Sequence, residues 1–154
     1  MKITSTLLMS LICIQLFACN SNMKIEPVNN SNATANTDTM KLKITIGIQV
    51  FTATLNNNAT VTAFKAKLPM SINMNELNGN EKYFDLSTNL PTNASNPGTI
   101  QTGDLMLYGS NTLVLFYKTF STSYNYTRLG RIDNPSALAA ALGSGNTTVK
   151  FELE

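Results

Sequence analysis

Short apolar runs that alternate strictly with polar residues, interrupted every few positions by Asn, Gly or Pro, restrict this chain to strands far more than helices. From Lys41 to Ile46 the apolar Leu42, Ile44 and Ile46 alternate with Lys41, Lys43 and Thr45. After Gly47 the pattern resumes, with Phe51, Ala53 and Leu55 set against Thr52 and Thr54. Successive strand side chains point to opposite faces, so this reads as an opening hairpin with one buried face. Met70, Ile72 and Met74 alternate with Ser71, Asn73 and Asn75 up to a turn near Asn78-Gly79, and a shorter strand is expected from Lys82 to Leu86. Leu105–Tyr108 and Leu113–Tyr117 are nearly continuous apolar runs around a Gly109-Ser110-Asn111 turn, the pattern of strands covered on both sides. Tyr126–Ile132 and Thr148–Leu153 complete the set.

Two segments break the strand period. Asn58 is placed to cap a short helix carrying Val61, Phe64 and Leu68 on one face and closed by Pro69. Asn134-Pro135 opens a second, continued by Ala137 to Leu142 and ended by Gly143. Ser87 to Thr102, with two prolines and little to bury, is the longest expected loop; it is either a functional loop or a plain connection. About eight short strands and two short helices make a mainly β fold, and closing the sheet into an eight-stranded barrel is the arrangement that leaves no exposed edge.

Composition narrows the chemistry. The chain has no His, which removes imidazole bases, Ser-His-Asp and Cys-His nucleophiles and imidazole metal ligands. Only 13% of its residues are charged and its two Arg are Arg128 and Arg131, so it lacks the clustered cationic face that nucleic-acid phosphates require. Asn and Thr, 20 of each, supply the polarity instead. No EF-hand or glycine-rich phosphate motif is present, and nothing points to a metal or cofactor; Gly143-Ser144-Gly145 follows a helix rather than opening one. Glu76, Glu81, Asp85, Asp104 and Asp133 are scattered, without the spacing of an acid/base pair.

At the amino terminus Lys2 precedes an apolar run from Ile3 to Phe17 that is too short to cross a bilayer and reads as a signal peptide over residues 1–18. Leu16-Phe17-Ala18-Cys19 resembles the bacterial lipobox, which implies acylation of Cys19 and cleavage before it; an ordinary secretory signal with an incidental Cys is the alternative. Cys13 would leave with the signal and Cys19 would become a membrane anchor, so no thiol remains free. Residues 19–40 are polar and aperiodic and are expected to form a flexible tether, leaving residues 41–154 as one domain at the cell envelope. Asp38-Thr39-Met40 resembles the O-glycosylation motif of Bacteroidetes periplasmic proteins, with Thr39 as acceptor.

Gly103-Asp104-Leu105-Met106-Leu107-Tyr108, Leu113–Tyr117 and Leu129-Gly130-Arg131-Ile132 resemble the cyclophilin-like domains of bacterial proteins, including small Bacteroidetes lipoproteins. The opening hairpin, the helix ending Leu68-Pro69 and Leu77–Lys82 fit the same family, so the resemblance spans nearly all of Lys41 to Glu154. It implies an eight-stranded closed barrel with a helix at each end. Cyclophilins proper are prolyl isomerases: an Arg on the strand after the first helix donates toward the prolyl nitrogen and weakens the resonance behind a barrier of about 18–20 kcal/mol. Here that strand is Met70–Leu77, without Arg. By the same resemblance Leu113 falls where a pocket Gln would stand, Leu115 where a pocket Phe would, and Tyr126 where a pocket His would.

Tyr124, Tyr126 and Arg128 are therefore the candidate ligand contacts. Arg128 shares a strand face with Tyr126, while Leu129 points inward, and Arg128 either reaches a ligand or pairs on the surface with Asp104 or Asp133. Phe116, Tyr117 and Phe120 are further aromatics near the same groove, Phe116 reading as core. Three functions follow: a lipid-anchored, non-catalytic module binding a peptide, glycan or small molecule; a weak isomerase assisting periplasmic folding; and a structural envelope protein.

Overall fold

The computed structural model describes residues 40–154; Cys13, Cys19, Thr39, the signal and the tether lie outside the described residues. In chain order the elements are β1 (Lys41–Ile46), β2 (Gln49–Leu55), α1 (Ala59–Lys65), β3 (Met70–Leu77), β4 (Glu81–Asp85), β5 (Thr99–Ile100), β6 (Asp104–Tyr108), β7 (Thr112–Phe116), β8 (Phe120–Ser121), β9 (Tyr126–Ile132), α2 (Leu138–Leu142) and β10 (Thr147–Leu153). Eight strands close into an antiparallel barrel in the order β1-β10-β3-β4-β7-β6-β9-β2. The alternation dictates this closure, because each strand has an apolar face that only a curled sheet hides completely. Leu42, Ile44, Phe51, Ala53, Leu105, Leu107, Leu113, Leu115, Leu129, Val149 and Phe151 meet inside.

The helices plug this interior. The Asn58 side chain accepts the Val61 amide at 2.9 Å and so starts α1. Phe64, fully buried, then packs edge-on against Phe151 with ring centroids 6.2 Å apart. The helix ends at Lys65, earlier than the expected Leu68, which still packs on the core from the turn beyond it. α2 begins at Leu138 with no side-chain cap: Asn134 instead accepts the Ser136 amide at 3.3 Å, so the Asn-Pro signal belongs to a preceding turn. Gly143 ends α2 with φ of 60°, a conformation glycine adopts without strain.

Two short strands depart from the expected pattern. β5, inside the supposed loop from Ser87 to Thr102, pairs with β8 as a separate two-stranded sheet. That segment buries more than expected, since Leu90 is 5% and Ile100 0% exposed. Ile100 joins Met106, Val114, Phe116 and Tyr126 in a second apolar cluster. On β6 and β7 their parity is opposite to that of the interior residues, and Tyr126 pairs across β6 with the outward Tyr108, so this cluster lies on the outer face of the barrel. β6 and β7 are thus apolar on both faces because one face lines the core and the other is roofed.

Candidate functional site

Beside the roof the outer face opens into a cavity of about 560 Å³. Its floor is Glu81, Tyr83 and Asp85 of β4 with Thr112 and Val114 of β7. Tyr108 and Tyr126 form one wall, and the segment from Phe120 to Tyr124 forms another. Strand parity accounts for the selection: alternate residues of β4 face outward, while Lys82 and Phe84 turn toward the barrel core. The aromatic wall is braced against itself. Tyr108 meets Tyr124 edge-on at 6.0 Å and Tyr126 at 5.6 Å, and Tyr126 packs on Phe116 at 5.5 Å.

The floor rests on a polar cluster that no spacing in the sequence announced. The β3–β4 turn places Asn78 and Gly79 at positive φ and sets Leu77 opposite Glu81 and Glu76 opposite Lys82. Glu76 and Lys82 therefore share the inner face, and Glu81 the outer one. Lys82, 0% exposed, pairs with Glu76 and donates to the Gly143 and Gly145 carbonyls at 2.9 and 2.6 Å, tying the barrel end to the chain after α2. Glu76 also accepts the Tyr117 hydroxyl and the Gly79 amide, each at 2.8 Å. Burial pushes the Glu76 carboxyl up, but hydrogen bonds from Lys82, Tyr117 and Gly79 outweigh it and hold the group below its ordinary range. Burial, the bond to Glu76 and the nearby charges push the Tyr117 phenol up to about 12.

Glu81 differs. Its carboxyl is raised to about 7, by burial first and the Glu76 charge second, with no hydrogen bond to offset either. A group that keeps its proton in the native state while the unfolded chain has lost it makes stability fall as pH rises between the two values. With discount for solvent reaching the cavity, the native protein should lose about 2 kcal/mol between about pH 4.5 and pH 7 and level off above. Glu81→Gln should therefore be more stable than the parent by about that amount at about pH 8 and equal to it near pH 4, measured by urea unfolding. A parent and variant whose difference does not change with pH would refute the assignment.

Of the residues singled out from sequence, Tyr124, 61% exposed, and Tyr126, 6% exposed, both line the cavity. Burial, then the Glu81 charge, raises the Tyr126 phenol. Arg128 is not on the cavity wall: its guanidinium lies 3.8 Å from Asp104, which Arg131 approaches at the same distance from the other side. Asp104, 2% exposed, also accepts the Gln101 amide at 2.9 Å, so it forms a buried anionic anchor for both Arg side chains. Leu113 and Leu115 are inside the barrel, which corrects their placement at pocket positions; Thr112 and Val114 carry the outer face of β7. The offset is one residue, and on a strand one residue is the whole difference between core and surface. Tyr117 is core, not groove. In the sequence Glu81 reads as one more scattered carboxylate, because its environment comes from a turn that no spacing rule encodes. Among the described residues no group of three or more Cys, Asp or Glu is placed to hold a metal ion, and no helix is long and apolar enough to cross a membrane.

A family model described as "Cyclophilin-like family" matches residues 44–152. Among solved structures, the chain is similar to the solution structure of the hypothetical protein AF2241 from Archaeoglobus fulgidus, with a TM-score of 0.57 and 20% identity over 75% of this chain and 95% of that one. At that identity the likeness speaks for the fold. No curated protein matches.

Proposed function

The chain belongs to the cyclophilin-like family, and from that premise we propose that it is a non-catalytic binding module of the bacterial cell envelope, lipid-anchored through Cys19, that takes a peptide, glycan or small molecule in the cavity beside Tyr124 and Tyr126. The observation carrying this reading is the cavity itself. Its volume of about 560 Å³ falls in the range of small-molecule sites, about 300–1,000 Å³. Its aromatic wall, held rigid by ring-on-ring packing, offers contact area at little entropic cost.

Isomerase chemistry would need a guanidinium over the bound proline, and both Arg side chains of this protein are engaged with Asp104 away from the cavity. The full chain in detergent is expected to leave the rate of prolyl isomerisation in a test peptide unchanged, and to show saturable thermal stabilisation by at least one member of a peptide and glycan panel, lost in Tyr124→Ala. Turnover abolished by Arg128→Ala would establish the isomerase instead. Fractionation of cells expressing the full chain, without detergent, checks the anchor: a Cys19→Ser chain should move from the membrane to the soluble fraction.

A further inference from the structure

Building on the binding-module reading, we propose that the cavity is a receptor for a primary ammonium group, the terminus of a lysine side chain or of an alkyl amine, seated on the Glu81 carboxylate and enclosed by Tyr108, Tyr124 and Tyr126. Glu81 is 9% exposed, lines the cavity, and among the described residues has no hydrogen-bond or ion-pair partner. Its carboxylate oxygens have no protein donor and open onto the cavity, so a ligand there that supplies a donor gains a charge-assisted hydrogen bond. Asn80, next in the chain, also lines the cavity, with its unpartnered Oδ1 buried behind the wall. Asp85 contributes a further carboxylate on the same floor, held at 2.6 Å by the Thr112 hydroxyl.

The charge balance of the lining favours a cation. Glu81 and Asp85 face the cavity and no Lys or Arg lines it. Lys82 points the other way, into its pair with Glu76. Tyrosine rings attract cations, and four of them, Tyr83, Tyr108, Tyr124 and Tyr126, border this space. A quaternary ammonium would satisfy the rings and leave the acceptors empty; an –NH₃⁺ group has three donors to give them.

Protonation of Glu81 then gates the site. Glu76 lies on the opposite face of the neighbouring strand β3, yet its charge disfavours that of Glu81; Asp85 shares the strand and face of Glu81, and Tyr117 and Tyr126 nearby have raised phenols that stay neutral. Lys118 is exposed and reaches over Gly79 at the adjoining turn. An amine remains protonated throughout the neutral range, so its affinity should follow ionisation of Glu81 and rise about tenfold between about pH 6 and pH 8.

Isothermal titration of the full chain in detergent tests this with cadaverine, with a terminally blocked lysine peptide, and with the same peptide carrying Nε-acetyl-lysine. Saturable binding of cadaverine or of the lysine peptide, weaker by about tenfold or more in Glu81→Gln and with the pH dependence lost in that variant, is the expected result. Which of the two binds more tightly tells whether the amine belongs to a peptide or a small molecule. Acetylated peptide binding as tightly as its parent would overturn the ammonium assignment and leave the binding module standing. The same follows if the amines fail while a neutral peptide or glycan binds in a manner dependent on Tyr124. Absence of binding by every probe would overturn both.

Discussion

Glu76→Leu should cost about 3–5 kcal/mol of folding stability, because it leaves the ammonium of Lys82 uncompensated in a fully buried position. Lys82 is 0% exposed and its only counter-charge among the described residues is Glu76. The Gly143 and Gly145 carbonyls that also accept from it, and the Tyr117 ring 5.4 Å from its nitrogen, soften the loss without replacing a full negative charge. Removing both charges together is a different matter, since pairs replaced by apolar groups of similar volume are often neutral in effect. The double variant Glu76→Leu/Lys82→Met should therefore recover at least half of the deficit, read from urea unfolding midpoints near neutral pH. A double variant no more stable than the single one would mean that the cost comes from lost packing rather than an orphaned charge. The single variant also reaches the cavity: without the Glu76 charge, Glu81 should ionise at lower pH.

Gly130→Ala is expected to destabilise the barrel by about 3 kcal/mol or more, at or beyond the upper end of ordinary overpacking. A Cβ at Gly130 would stand 2.4 Å from the Thr54 carbonyl oxygen and 3.0 Å from the Leu55 Cα, both backbone atoms that no rotamer change can move. The position is a junction. Gly130 pairs with Leu55 of β2 on one side and with Leu105 of β6 on the other, and β2 meets β9 over three residue pairs. Next to it the β6–β9 register shifts between Leu105 and Met106, as strands do at a bulge. The glycine allows β2 to approach closely enough to close the ring, so the alanine variant should show lowered thermal stability and faster amide exchange in β2 and β9 first. Parent-like exchange in those strands would refute this account.

Much of the architecture was legible from residue order. Leu42, Ile44 and Ile46 announce a strand with one buried face, and that face is inside the barrel. Leu105–Tyr108 and Leu113–Tyr117 announce strands covered on both sides, and both covers exist. The small sheet of β5 and β8 was not legible: two residues on each side carry no period, and their pairing depends on the barrel bringing Ile100 and Phe120 together. At the site, Tyr124 and Tyr126 could be picked out as aromatics in a polar segment, whereas Glu81 looked like one more turn carboxylate.

What the sequence determines alone is a set of short strands with assigned inner and outer faces, two helical plugs and the absence of imidazole, because period and composition are local properties. The need to hide strand edges pointed to closure, and the family resemblance implied the same closed barrel with a helix at each end. Only the tertiary structure decides which outer faces become a cavity, that Arg128 turns to Asp104 instead of the tyrosines, and that Glu81 loses water and gains Glu76 as a neighbour. The reason is physical: a carboxyl's protonation and a cavity's walls depend on desolvation and on charges brought near through pairing register, and register is a property of the closed sheet rather than of any one strand.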